Sequence, residues 1–176
     1  MPELPEVETT RRGVMPYLVG RRIVAVTVRE ARLRWPVPAN LEALLCNRQV
    51  LGIDRRGKYL LIRFEQGTLL VHLGMSGSLS FLPHGQHVSP PGVHDHFELE
   101  TSAGTLRLND PRRFGAVVYA ESEDSEVACK LLSHLGIEPL SGDFDLKAFH
   151  VGLKRRSASI KQVLLAGDLV VGVGNI

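Results

Sequence analysis

Between Val50 and Ala120 the chain is cut into short β-rich runs, and this punctuation constrains the fold more than any other feature. Runs at 58–64, 68–73, 78–81, 96–100, 105–108 and 116–119 are candidate strands. Turn residues break them at Gln66-Gly67, from Pro83 to Gly92 and at Ala103-Gly104. Short strands at such close spacing predict a β-sandwich or a flattened barrel.

The flanks follow a different period. Pro5 followed by Glu6 and Glu8 predicts a helix start, because proline fits the first turn and carboxylates there complement the exposed N–H groups. That helix is expected to run to about Met15. A β-rich run at 22–29 and a short helix at 40–45 follow it. After the acidic residues Glu121, Glu123 and Asp124, helices are expected at 126–134, 145–153 and 157–165, with Gly136 and Gly152 near their ends. The chain therefore reads as α+β, with an N-terminal β-sandwich domain flanked by helices over 1–120 and a helical segment over 121–176. The stretch from Leu169 to Ile176 is apolar and glycine-rich without a closing signal, so the chain is expected to stop inside a structural unit.

Composition then narrows the class. With 44% apolar residues, 23% charged residues and two cysteines, neither a disordered nor a disulfide-stapled chain is expected. Cys46 and Cys129 are isolated, without a C-x-x-C signature. No run approaches the ~20 apolar residues of a membrane helix and the start lacks a signal-peptide layout, so no membrane association and a cytoplasmic location are expected. A net charge of +2 says little, but its distribution says more. Residues 1–63 hold eleven arginines and Lys58 against six acidic residues, and Lys154, Arg155, Arg156 and Lys161 form a second basic cluster. This asymmetry suits a face turned towards a polyanion, and equally a solvated arginine-rich surface.

Several segments can carry chemistry. Removal of the initiator methionine exposes Pro2 as a secondary amine, which can attack an electrophilic sugar C1′ and form an iminium as Schiff-base lysines do. Attack needs the neutral amine, and free α-amino groups titrate at about 7.7–8.0, lower beside other cations. If Met1 stays, the nitrogen of Pro2 is a tertiary amide and no nucleophile. Glu3 can donate and accept the protons, although the same segment also reads as an ordinary helix start. Lys58, after Gly57, is either a solvated strand end or a proton donor and phosphate contact. In His72-Leu73-Gly74-Met75-Ser76-Gly77, the glycines allow a tight turn that would push Met75 outwards, although a methionine is more usually a core residue. An outward methionine can act as a wedge between base steps. The turn Asn109-Asp110-Pro111-Arg112-Arg113-Phe114-Gly115 carries two guanidiniums and a ring, suited to an orphaned base or to a plain hairpin loop. His94-Asp95-His96 lacks a third ligand, so no metal site is expected. Gly172-Val173-Gly174 lacks the context of a dinucleotide site and reads as a turn that presents Asn175 and backbone N–H groups to a phosphate.

These segments, with Leu135-Gly136-Ile137-Glu138-Pro139-Leu140, occur in one order along the chain. Together they resemble the bacterial formamidopyrimidine-DNA glycosylase family, also called MutM. The resemblance implies a bifunctional DNA glycosylase and AP lyase of base-excision repair, acting on oxidised purines (8-oxoguanine, formamidopyrimidines) in damaged double-stranded DNA. It implies that Pro2 attacks C1′, that Glu3 and Lys58 handle protons, and that the 3′ and then the 5′ phosphate are eliminated. His72 and Asn175 resemble the family's phosphate contacts, and Lys161 resembles its lysine near the damaged nucleotide. Met75, Arg112 and Phe114 resemble the residues that fill the space left by a flipped nucleotide, with Arg112 facing the orphaned cytosine. Leu4 and Val7 favour this branch over the related endonuclease VIII branch for oxidised pyrimidines. An inert DNA-binding or structural fragment is the rival reading.

By the same resemblance, 121–176 corresponds to a linker and the first part of a helix–two-turns–helix DNA-binding domain. Members continue into a four-cysteine zinc finger, so one structural zinc is expected in full-length members and no cofactor in this chain. Loss of the second half of a DNA clamp predicts a large, salt-dependent fall in affinity and weak or absent activity. A monomer is expected.

Overall fold

A computed structural model describes residues 2–85 and 89–174. Its strands are β1 (Ile23–Val28), β2 (Val50–Arg56), β3 (Tyr59–Phe64), β4 (Thr68–His72), β5 (Ser78–Pro83), β6 (Asp95–Thr101), β7 (Gly104–Asn109) and β8 (Ala116–Ala120). Its helices are α1 (Leu4–Leu18), α2 (Leu41–Leu45), α3 (Glu126–Leu132), α4 (Leu146–Lys154) and α5 (Ile160–Ala166). The strands form two four-stranded antiparallel sheets, ordered β1-β6-β7-β5 and β2-β3-β4-β8. The architecture is the expected α+β sandwich.

Alternation explains the sandwich. In β7 the residues Leu106 and Leu108 are fully buried while Thr105 and Arg107 face the other way. Phe97 and Leu99 of β6 join them in one core with Ile53, Leu60, Ile62, Leu69 and Val71 of the second sheet. Each such side chain contributes roughly 2 kcal/mol on burial. Val7, Val14 and Leu18, spaced along one face of α1, seal this core at its edge. A second cluster covers the other face of the second sheet, where Leu61, Leu70 and Val118 meet Ala128 and Leu131 of α3.

Three elements depart from expectation. The strand β2 has no counterpart among the predicted runs, because Asp54, Arg55 and Arg56 are charged and Gly52 interrupts it. The helix α1 continues beyond Met15 to Leu18 with Pro16 inside it. Proline is tolerated there because buried Leu18 anchors the last turn and the Val19 N–H still donates to Met15 O at 3.0 Å. The helix α5 begins at Ile160 rather than 157, since Ser159 is its cap: its hydroxyl accepts from Gln162 N and the Gln162 side chain accepts from Ser159 N. The helix α4 buries none of its residues, and Leu146 and Val151 stay exposed.

A second connection draws the end of the described chain back to the sandwich. Ile137 and Val170 form an isolated parallel bridge, flanked by Gly136 N to Gly167 O at 2.7 Å and Val171 N to Ile137 O at 3.0 Å. This bridge carries 171–174 towards α1.

Candidate active site

Register decides what meets at the functional end of the sandwich. Tyr59 pairs with His72, and His72 pairs with Ala116, so Lys58, the 72–77 turn and the loop ending at Gly115 emerge side by side. Asn109 pairs with both Ser78 and Asp95, which brings the start of the 109–115 loop to the same end.

Pro2, partly buried, precedes α1. Glu3 is the N-cap residue, and its N–H donates to Glu6 Oε2 at 2.9 Å. This bond fixes the chain direction at the helix start, where free N–H groups favour a carboxylate. Buried Glu3 Oε2 pairs with Lys58 Nζ. The pair sets a carboxylate and an ammonium against each other at the start of α1. Glycine packs over the pair. A Cβ at Gly174 would lie 2.6 Å from Glu3 Oε2, and one at Gly172, where φ is +92°, would lie 2.8 Å from a Leu4 methyl. The glycine-rich stretch thus closes on the N-terminus. Asn175, expected at a phosphate, lies outside the described residues, as do Met1, Gln86–Val88 and Ile176.

Lys58 is held by a network the sequence did not reveal. Glu138 accepts from Gly57 N at 2.7 Å and from both terminal nitrogens of Arg55 at 3.1 Å, while Arg56 Nη2 donates to Leu135 O at 2.7 Å. Arg55 also pairs with Glu8 at 3.1 Å, and Glu8 accepts from Arg11 and Arg12. The Arg11 guanidinium, with those of Arg12 and Arg55, outweighs burial and holds the Glu8 carboxyl down at about 2. The motif around Glu138 was visible, but nothing local marks a partner 81 residues away at Gly57.

His72 lies between Tyr59, whose ring centroid is 4.7 Å away, and the 109–115 loop. Its Nδ1 accepts from Gly74 N at 2.9 Å, which leaves the proton on Nε2. Burial, then the charges of Arg34 and Lys58, push its pKa down to about 4 against an opposing pull from Asp110. His72 is therefore a neutral Nε2–H donor at neutral pH. Lys58, His72, Arg34, Lys130 and Val171–Val173 line one cavity of about 310 Å³. Among the described residues no carboxylate side chain lines it, which suits an anion.

Met75 is 42% exposed and Phe114 43% exposed, and both line an adjacent apolar cavity with Arg34, His72 and Gly74. Arg112 stacks over the Phe114 ring at 4.8 Å. Lys161 is not brought to this group: it is exposed on the first turn of α5, with no side-chain hydrogen bond or ion pair among the described residues. His96 Nε2 bonds Asp110 O at 3.0 Å, whereas His94 is exposed. Among the described residues no group of three His, Cys, Asp or Glu side chains can hold a metal ion. Cys46 follows α2 and Cys129 lies in α3, and two cysteines cannot supply the four thiolates of the expected structural zinc. A larger cavity of about 740 Å³, lined from α1, β2, β3, β4 and α3, touches none of the sequence-predicted site residues.

Comparison with known proteins identifies the family. The family model of the formamidopyrimidine-DNA glycosylase N-terminal domain matches residues 1–117. The chain belongs to the formamidopyrimidine-DNA glycosylase family. Over its whole length it is 61% identical to the formamidopyrimidine-DNA glycosylase of Variovorax paradoxus and 60% identical to that of Albidiferax ferrireducens. It spans 63% of the length of each. Among solved structures, the Lactococcus lactis family member bound non-covalently to DNA containing an AP site superposes with a TM-score of 0.87 at 34% identity. That match covers 99% of this chain and 66% of the other. Among the described residues, no helix is long and apolar enough to cross a membrane.

Proposed function

We propose that this chain carries the nucleophilic half of a bifunctional base-excision enzyme that removes oxidised purines from duplex DNA and then cleaves the strand. The observation that carries the reading is the Glu3–Lys58 pair at the start of α1, packed under Gly174 beside a cavity that no carboxylate lines among the described residues. Once Met1 is removed, the amine of Pro2 adjoins Glu3, whose partner Lys58 lines a cavity suited to phosphate.

The chemistry follows from these parts. With Met1 removed, the Pro2 nitrogen attacks C1′ and the glycosidic bond breaks, its electron pair leaving with the base. The sugar ring opens as a proton reaches its oxygen, giving the iminium. Glu3 is the adjacent acid for this transfer, and Lys58 is the second proton donor. Removal of a C2′ proton expels the 3′ phosphate, and a second elimination expels the 5′ phosphate. His72 donates Nε2–H to a phosphate, with Asn175 as a second phosphate contact and Lys161 as a contact from α5. Met75 and Phe114 fill the space of the flipped nucleotide while Arg112 donates to the orphaned base. Residues 1–120 form the catalytic domain and 121–176 the first part of the helix–two-turns–helix DNA-binding domain in this reading. The same reading assigns a cytoplasmic monomer.

Cleavage of labelled duplexes tests this. The expected result is preference for 8-oxoguanine over an oxidised pyrimidine, with phosphate left on both ends of the gap. Cleavage at pyrimidine lesions alone, or a gap without a 3′ phosphate, contradicts it.

A further inference from the structure

The loop that carries Arg112 and Phe114 is tied down by a side chain with no role so far. Asp110 is fully buried, with 0% exposure. Its Oδ2 accepts from Gly115 N at 2.7 Å, closing the loop from its first residue to its last. Its backbone is engaged as well, with N donating to His94 O at 2.9 Å and O accepting from His96 Nε2 at 3.0 Å. Among the described residues its Oδ1 is buried without a hydrogen-bond partner. Leaving a carboxylate oxygen so placed is costly, and folds keep such a group where position matters more than stability.

The neighbouring turn leaves no slack. A Cβ at Gly74 would lie 2.5 Å from both Phe114 C and Gly115 N, so the two backbones touch. A Cβ at Gly115 would lie 2.8 Å from both Asp110 Oδ2 and His72 O. Arg34 N donates to Gly115 O at 3.1 Å, and Arg113 adopts a left-handed φ of 58°. The Met75 turn and the Arg112–Phe114 loop are therefore in register only while Gly115 is held.

We propose that Asp110 is a positioning residue: through Gly115 it locks the Met75 turn and the Arg112–Phe114 loop into one rigid unit, and thereby sets selectivity for the base opposite the lesion. The selectivity part rests on the functional reading above, and the locking part does not. Neither Asp110 nor its bond touches DNA in this account. Asparagine keeps the acceptor for Gly115, whereas alanine removes it.

Two measurements on the full chain test the proposal. In amide hydrogen exchange, Asp110→Ala lowers protection of the Gly115 amide at least roughly tenfold, Asp110→Asn keeps it within about twofold, and the Leu106 amide in the core is unchanged in both. Unaltered Gly115 protection in Asp110→Ala overturns the lock, and loss at Leu106 as well overturns its local character. In borohydride trapping on abasic DNA, Asp110→Ala forms adduct with single strands at the wild-type rate. On duplexes it loses the preference for cytosine over adenine opposite the site roughly tenfold, and Asp110→Asn restores that preference. Loosened loops with intact preference overturn the positioning role. A wild-type chain that forms no adduct refutes the enzyme reading instead, and the exchange comparison still decides whether Asp110 ties the loops.

Discussion

Acidification is the perturbation that reads the centre of the site, through His72. In the folded chain its pKa stands at about 4, against 6.5 for an ordinary histidine, because burial and the nearby cations Arg34 and Lys58 disfavour the imidazolium. Between these values the unfolded chain binds a proton that the folded chain refuses. Stability from this group is thus complete above about pH 6.5 and falls as pH drops towards 4. A displacement of this size corresponds to a loss on the order of 3 kcal/mol once the fall is complete. Protonation also breaks the bond from Gly74 N to Nδ1, which shapes the turn carrying Met75. Urea unfolding of wild type and His72→Asn at half-unit pH steps isolates the effect, because asparagine offers the same acceptor and does not titrate. The wild type is expected to lose about 3 kcal/mol more than the variant between pH 6.5 and 4. Imidazole nitrogen NMR is expected to show an Nε2–H tautomer with no titration from pH 5.5 to 8. A midpoint near 6.5, or an Nδ1–H tautomer, would refute the reasoning.

Other consequences can be checked separately. Glu8, held down at about 2 by Arg11 and its neighbours, contributes stability above pH 4.5 that is lost as pH falls towards 2. Since solvent partly screens it, Glu8→Gln is expected to cost about 1 kcal/mol at pH 7 and little at pH 2.5 by urea titration. Gly174→Ala sets a Cβ 2.6 Å from Glu3 Oε2, so adduct formation is expected to slow at least tenfold while thermal unfolding shifts by only a few degrees. Equal adduct rates exclude a working contact there. Phe97→Ala, which empties a site of 0% exposure between the sheets, is expected to cost about 3–5 kcal/mol by denaturant unfolding.

The fold was legible where local chemistry repeats. Alternation in β7 and the glycine turns at Gly67 and Gly104 announce strands, because half-buried strands and positive φ have few solutions in sequence. The strand β2 was hidden because Arg55 and Arg56 pair with Glu8 and Glu138, partners that only the fold brings near. The start of α5 could have been set from Ser159 and Gln162, a cap signal three residues apart. Within the site, Pro2, Glu3 and Lys58 stood out through their chemistry and family resemblance. Arg34, Asp110 and Glu138 did not, since each acts through backbone groups or fields that carry no residue signature.

The proposed nucleophile is the amine of Pro2 after removal of Met1. Borohydride reduction of the chain mixed with abasic-site DNA, followed by mass analysis of the cross-linked peptide, tests it most directly. An adduct is expected at the nitrogen of Pro2 on a chain lacking Met1, and none in Pro2→Gly. An adduct on a lysine, or one formed equally by Pro2→Gly, contradicts it.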